Sequence, residues 1–349
     1  MKEKGKIIWE CPSNIALVKY WGKRGNQLPS NASISFVLDA AYTTTSIEYV
    51  KHDKRSSDIH IDFYLDGQVK ESFANRVLKY FEEISTHFNF LKDYHFTINS
   101  ENTFPHSSGI ASSASAMGAL SLGLCSMDSI VNEPLNETDF LQKASFIARL
   151  GSGSACRSVY EGFALWGKHK DFEHSSDEYA IPINENINSI YKNFKDTVLL
   201  LHKGEKDVSS SQGHELIKNH PFRDNRFLEA GKNITRLKKV LENGDLNEFI
   251  EIVEAEALML HALMMTSSHA FILFQPNTIE VIKKVWQFRK ETKSQLMFTL
   301  DAGANVHLLY PEYDEEQVVE FIKNELLVYC ENGSYIRNEI GLGPNRLKE

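Results

Sequence analysis

The sequence predicts an α+β fold in two domains, and three observations carry that prediction. With 349 residues the chain exceeds the roughly 250–300 at which one hydrophobic core stops growing. Its strand-like and helix-like segments follow no regular βαβ alternation, which points to mixed or antiparallel sheets. A polar stretch ending near Phe194, followed at once by the apolar run "TVLLLH", divides the chain into residues 1–194 and 195–349.

The elements follow from local patterns. Residues Ile15 to Tyr20, "IALVKY", read as extended, which places Leu17 and Lys19 on one face. "AYTTTSIEYV" and "IHIDFYLDG" alternate and are rich in β-formers, so they read as strands joined by the charged turn "KHDKRSSD". In "ESFANRVLKYFEEISTHF" the residues Phe73, Val77, Leu78 and Phe81 share a helical face. "DYHFTINSENTF" reads as a strand, and "FLQKASFIARLGSG" as a helix running into a glycine-rich end. Beyond the boundary a Ser-rich loop precedes a helix. "NEFIEIVEAEALMLHALMMTS", "NTIEVIKKVWQFRKE" and "DEEQVVEFIKNELLVYC" then read as amphipathic helices, and "QLMFTLDAGANVHLLYP" as two strands hinged at "DAGAN".

Composition narrows the function classes. Hydrophobic residues make up 42% and charged residues 24%, the balance of a globular protein. A net charge of −9 without a sustained basic block argues against nucleic-acid binding, but leaves room for a basic pocket that takes an anionic metabolite. Cys11, Cys125, Cys156 and Cys330 are scattered with no CxxC pair, which indicates neither a zinc site nor a disulfide framework. Reduced thiols imply a cytoplasmic protein. The apolar stretch Ile7 to Trp9 is too short for a signal-peptide core, and no run reads as a membrane span.

Four stretches carry candidate chemistry. In "FPHSSGIASSASAMGALSLGL" Pro105 stops the preceding element, Gly109 frees the backbone, and Ser112 and Ser113 fall where a helix begins. The unpaired N–H groups and dipole of a first helical turn can hold a phosphate, with hydroxyls adding donors or a Mg²⁺ ligand, and small Ala111, Ala114 and Ala116 would let it approach. A serine-capped helix packed on a sheet explains the same residues. No GxxxxGK[ST] motif exists in the chain, so a P-loop is excluded.

The second stretch, "NIALVKYWGKRGN", gathers Lys19, Tyr20, Lys23 and Arg24, a cluster suited to a polyanion although a lone lysine would read as a surface residue. In the third, "RLGSGSACRS", Gly151 and Gly153 alternate with Ser152 and Ser154 before Arg157, which can grip a carboxylate or phosphate with paired bonds. A helix C-cap and serine-rich loop is the alternative there. The fourth, "TLDAGANVH", sets Asp301 at a strand end, as a general base, a lysine partner or an ordinary turn aspartate.

Together, and in this order, these stretches resemble the galactokinase, homoserine kinase, mevalonate kinase and phosphomevalonate kinase superfamily, and within it the diphosphomevalonate decarboxylase family. With "KDVSSSQG" and "LHALMMTS" added, the likeness spans nearly the whole chain. The resemblance implies a fold with a ribosomal protein S5 domain 2-like N-terminal half, a ferredoxin-like C-terminal half and a cleft between them. It also implies an ATP- and Mg²⁺-dependent decarboxylation of mevalonate 5-diphosphate to isopentenyl diphosphate in a homodimer. By the same likeness Asp301, Lys19 and Arg157 form the catalytic trio, and Tyr20, Lys23, Ser152, Ser154 and Arg157 bind substrate. Ser107, Ser108, Gly109, Ala111, Ser112 and Ser113 would hold the ATP phosphates, with Ser113 near Mg²⁺. A monophosphate-specific decarboxylase, a 3-kinase and a non-catalytic homologue are the competing expectations. His261 reads as a satisfied core histidine, and Met259, Met264 and Met265 as core packing.

Overall fold

Two long strands, β1 (Lys4–Val18), buried throughout from Cys11 to Val18, and β2 (Ser33–Lys51), form the spine of the N-terminal half in the computed structural model, which describes residues 3–105, 110–202 and 210–348. They pair antiparallel from Lys4↔Val50 to Val18↔Ile34, with register shifts at Pro12/Asn14 and Ala16/Val18. The chain continues through β3 (His60–Leu65), α1 (Glu71–Ile84), β4 (Tyr94–Asn102), α2 (Ser112–Val131) and α3 (Glu137–Gly151). Strands β5 (Phe163–Trp166) and β6 (Ala180–Pro182) complete this half.

The C-terminal half begins with β7 (Lys195–Leu199), followed by helices α4 (Ser210–Leu216), α5 (Arg223–Asn243), α6 (Leu246–Met265) and α7 (Pro276–Thr292). Strands β8 (Met297–Thr299) and β9 (Val306–Tyr310), helix α8 (Glu315–Phe321), and strands β10 (Tyr335–Glu339) and β11 (Asn345–Leu347) close the chain.

The result is the expected α+β architecture on two main sheets, with a two-stranded ribbon pairing Lys23–Arg24 and Leu28–Pro29. An eight-stranded sheet runs β11-β1-β2-β4-β3 and ends on the short strand Gln68–Val69, with β5 added beside the first part of β2 and β6 beside β5. A four-stranded antiparallel sheet runs β8-β9-β7-β10. Strand β11, at the far end of the chain, returns to pair with β1 of the first sheet.

Three large apolar clusters, and a smaller one around Trp21, Ile217 and Leu260, hold the described residues together. One lies between the first sheet and α1, α2 and α3, including Phe81, Phe96 and Leu122. One lies under the C-terminal sheet against α7 and α8, including Val285, Phe298 and Val318. The third joins the halves, packing Ile15, Leu17, Ile34 and Phe36 with Phe249, Ile252, Met297 and Leu309.

The structure corrects four local expectations. The strands flanking "KHDKRSSD" do not pair with each other; β4 lies between β2 and β3, and its pairing with β3 is parallel. "DEEQVVEFIKNELLVYC" is not one α-helix: α8 gives way to a π-turn at Ile322–Leu326 and a 3₁₀ turn at Leu327–Tyr329, keeping Ile322 and Leu326 buried. Helix α2 is long and apolar enough by composition to cross a membrane. Most of it is buried inside this molecule, however, as the core helix between sheet and α3. Of the three methionines read as core, Met264 is buried but Met265 is exposed.

Candidate active site

The four motif stretches meet at a cleft of about 890 Å³ between the two halves. Lys19, Tyr20, Lys23, Ala111, Ser113, Ser152, Ser154, Arg157 and Asp301 all line it. Ser112 starts α2 at its edge. Ser107, Ser108 and Gly109 lie outside the described residues, as does the first half of "KDVSSSQG".

Lys19 follows immediately on the end of β1, where the ladder to β2 has stopped. Its Nζ donates to Asp301 Oδ1 at 2.9 Å. The lysine side chain is 2% exposed and that of Asp301 27%, so the carboxylate presents the pair to the cleft. Burial pushes the Lys19 pKa below the usual lysine range, opposed by the Asp301 carboxylate. Asp301 sits in the turn after β8, and His261 Nε2 hydrogen-bonds its backbone oxygen at 3.2 Å. His261 is 1% exposed and stacks on Phe274 with centroids 4.1 Å apart. It is thus a satisfied core histidine as expected, and what satisfies it is the backbone of Asp301.

Arg157 stands on the short helix Ala155–Ser158 that follows the Gly151–Gly153 turn. Its Nε donates to Ser35 Oγ at 2.8 Å, Nη1 to Ser33 Oγ and Nη2 to Asn14 Oδ1 at 3.2 Å. These acceptors on β1 and β2 fix the plane of a guanidinium that is 2% exposed. Burial lowers its pKa, yet arginine starts high enough to keep its charge. The neighbouring glycine is required by packing. A Cβ on Gly153 would lie 2.8 Å from the Trp166 ring and 3.0 Å from Tyr20 Oη.

Tyr20 lies between Trp166 and His214, its ring tilted to both at centroid distances of 4.7 and 4.4 Å. Its Oη is buried without a hydrogen-bond partner among the described residues, and burial raises the phenol pKa, so it remains an O–H donor. His214, on α4, accepts the Gly22 N–H at Nδ1 over 2.9 Å, which leaves the proton on Nε2. Burial, helped by the nearby Lys23 charge, lowers its pKa to about 3 and keeps it neutral. Lys23 Nζ reaches Gln27 Oε1 at 3.3 Å, whereas Arg24 turns outward to pair with Asp177.

At the other side of the cleft, α2 begins with Ala111 as its N-cap in the left-handed region (φ 46°, ψ 41°), without a side-chain cap. The serine-capped reading therefore fails: a residue with a Cβ is held in a conformation it disfavours, and the first-turn serines are left free of capping. Ser113 Oγ lies 3.2 Å from Ser152 Oγ, which ties this turn to the Gly151–Gly153 turn. A second, mainly apolar cavity of about 760 Å³ adjoins it, lined by Phe63, Phe73, Ile98 and Met117 and sharing Arg76 and Ser113 with the first.

Gln27, Arg76 and His214 also line the cleft but lie outside the quoted motifs, and Trp21 lines it from within the second motif without having been singled out. Asn14, Ser33 and Ser35 likewise hold Arg157 from strands whose sequence reads as plain β. Only tertiary pairing shows their use.

The lining is suited to anions. Four cationic side chains, Lys19, Lys23, Arg76 and Arg157, the first turn of a 20-residue helix and a tyrosine hydroxyl unpaired among the described residues converge there. Among the described residues no group of three His, Cys, Asp or Glu side chains is placed to hold a metal. This donor set fits a Mg²⁺ carried on phosphate oxygens with its waters, joined at most by a serine hydroxyl, and does not fit an all-protein metal cage.

Fold and cleft together define an enzyme of the two-domain superfamily to which the motifs point, built to act on a phosphorylated small molecule. Residues 11–180 match the diphosphomevalonate decarboxylase-like N-terminal domain, and residues 197–340 the mevalonate 5-diphosphate decarboxylase C-terminal domain. The chain belongs to the diphosphomevalonate decarboxylase family. It is 29% identical over 326 residues to the diphosphomevalonate decarboxylase of Debaryomyces hansenii, an alignment covering 89% of this chain and 81% of that one. It is 27% identical over 312 residues to the phosphomevalonate decarboxylase of Haloferax volcanii, covering 88% of each. Its structure superposes on that of MDDEF in complex with MVAPP, AMPPCP and magnesium with a TM-score of 0.83, at 27% identity over 99% of this chain and 100% of the other.

Proposed function

We propose that this protein converts mevalonate 5-diphosphate and ATP to isopentenyl diphosphate, CO₂, ADP and phosphate. The observation that carries the reading is the 2.9 Å pair between buried Lys19 and cleft-facing Asp301, in one cleft with Arg157 and the first turn of α2. In this reading Asp301 faces the tertiary 3-hydroxyl and accepts its proton, a contribution worth typically 10²–10⁴-fold. Lys19 holds Asp301 in place and compensates negative charge gathering at the reacting oxygen. ATP, carried with Mg²⁺, supplies the phosphoryl group that makes that oxygen a leaving group. Arg157, locked by Asn14, Ser33 and Ser35, orients the substrate carboxylate with Ser152 and Ser154. Its anchoring leaves few donors for the ligand, so the carboxylate is aligned without being held too tightly to depart as CO₂.

Tyr20 and Lys23 serve the diphosphate tail. Ala111, Ser112 and Ser113, with Ser107, Ser108 and Gly109, serve the ATP phosphates, with Ser113 beside Mg²⁺. The apolar cavity shared through Arg76 and Ser113 suits the nucleotide base. Residues 1–194 would thus supply the phosphate sites and Arg157, and 195–349 the aspartate. We further propose a homodimer in the cytoplasm. Four unpaired, buried cysteines accord with a reducing compartment, and light scattering with cell fractionation would test both points.

The deciding experiment offers MgATP with mevalonate, its 5-phosphate or its 5-diphosphate, and follows CO₂ and ADP together. Both products from the diphosphate alone are expected. Turnover confined to the monophosphate would move the assignment to that decarboxylase class. ADP without CO₂ would make it a 3-kinase, and no turnover with any substrate would leave a non-catalytic binding protein.

A further inference from the structure

Lys19 is gripped by its peptide groups as well as by its ammonium. Its N–H donates to Glu256 Oε2 at 2.9 Å, and its carbonyl accepts from Arg226 Nη2 at 3.1 Å and Asn31 Nδ2 at 3.0 Å. Because β1 ends at Val18, no strand supplies these bonds; two of the three come from helices of the other half.

Glu256 on α6 is completely buried. Besides Lys19, it accepts from Arg226 at 2.6 and 3.1 Å and from Asn233 at 2.7 Å. Arg226 and Asn233 lie two turns apart on the same face of α5. A buried ion pair is seldom more stable than apolar side chains of the same volume. This one is also incompletely satisfied, since Arg226 Nε makes no hydrogen bond among the described residues. Stability alone is therefore a poor reason for its presence.

We propose that Glu256 and Arg226 are positioning residues for the catalytic pair, clamping the Lys19 peptide so that its ammonium meets Asp301 before substrate arrives. The clamp refers both partners to the C-terminal half: Lys19 through α5 and α6, and Asp301 through His261 of the same α6. The charges facing Lys19 are Asp301, Glu256, Arg226 and Arg157, while His261 stands behind Asp301. Glu256 is thus one of two anions facing Lys19 against two cations, and its charge helps Lys19 keep its proton in a buried site.

This inference rests on the reading that Lys19 acts protonated beside Asp301, and the test separates the two. Wild-type turnover on the three substrates is measured first and settles the activity. Glu256→Gln keeps the shape and removes the charge. Its kcat should fall about 10- to 100-fold, as for a small misplacement of a reacting group, with KM for both substrates within about twofold. The alkaline limb of kcat should move to lower pH. Glu256→Gln/Arg226→Gln, which removes one cation as well, should return that limb part of the way and serves if the single variant does not fold. The Lys19 Nζ resonance of ¹⁵N-lysine protein, assigned with Lys19→Met, should titrate at lower pH in Glu256→Gln, a readout independent of turnover. An unmoved Lys19 titration, or an unchanged kcat and alkaline limb in a folded variant that merely melts earlier, would overturn the proposal.

Discussion

At the level of single residues, Asp301 is the group on which the proposed chemistry turns. Asp301→Asn keeps its size and hydrogen bonding but cannot accept the proton, so turnover should drop at least 10²-fold while ATP binding, followed by nucleotide fluorescence, stays near wild type. Near-normal turnover would remove its assigned role. His214 supports a second expectation with a definite sign. Its folded pKa, about 3, lies below the 6.5 of an unperturbed imidazole, so between those values unfolding takes up a proton. Stability contributed by the neutral ring is complete above pH 6.5 and is lost as pH falls towards 3, by up to about 1.4 kcal/mol per unit. Denaturation midpoints of His214→Gln should therefore fall less steeply than wild type across that window. Parallel curves would contradict the buried neutral state. Of the residues in this site, Lys19, Arg157 and Asp301 were legible because each stands in a distinctive local motif. Asn14, Glu256 and Arg226 were not, since a buried polar residue on a strand or helix looks in sequence like a solvent-facing one.

Among the elements, α2 shows how the serine- and alanine-rich run serves two purposes. Its N-terminal turn faces the cleft, and its body packs against β1, β2 and α3. Close approach to β1 depends on Gly118, where an added Cβ would collide with Cys11 Sγ. Gly118→Ala should cost about 1–3 kcal/mol through overpacking, despite a gain of about 1 kcal/mol in helix propensity. In a double-mutant cycle read by denaturant unfolding, Cys11→Ala should recover part of that loss, and strict additivity would refute the contact. Helix α5 illustrates an element that its sequence conceals. "RDNRFLEAGKNITRLKKVLEN" carries Gly231 mid-run, and its buried face includes Arg226 and Asn233, so the apolar stripe is interrupted where the Lys19 clamp sits.

For the molecule as a whole, the shared cluster of Ile15, Leu17, Ile34 and Phe36 with Phe249, Ile252, Met297 and Leu309 joins the halves as a core rather than as a wet interface. The return of β11 to β1, with Gly341 N–H donating to Val37 O at 2.8 Å, adds a backbone tie. Calorimetry should accordingly show one cooperative transition, and residues 1–194 expressed alone should expose this face and aggregate. Two separated transitions, or a monomeric folded fragment, would show the halves to be independent.

Local order decided what could be read from the chain alone. Periodic apolar spacing gave helices α1, α3, α6 and α7 and strands β4, β7, β8 and β9 their type, and the motif order pointed to the family, because these signals lie within one or two turns of backbone. Which strands pair, why β4 separates β2 from β3, and how Asp301 comes to lie 2.9 Å from a lysine 282 positions away were settled only by the tertiary structure. Those arrangements depend on long-range burial and on buried polar groups finding partners, and neither leaves a local trace in the sequence.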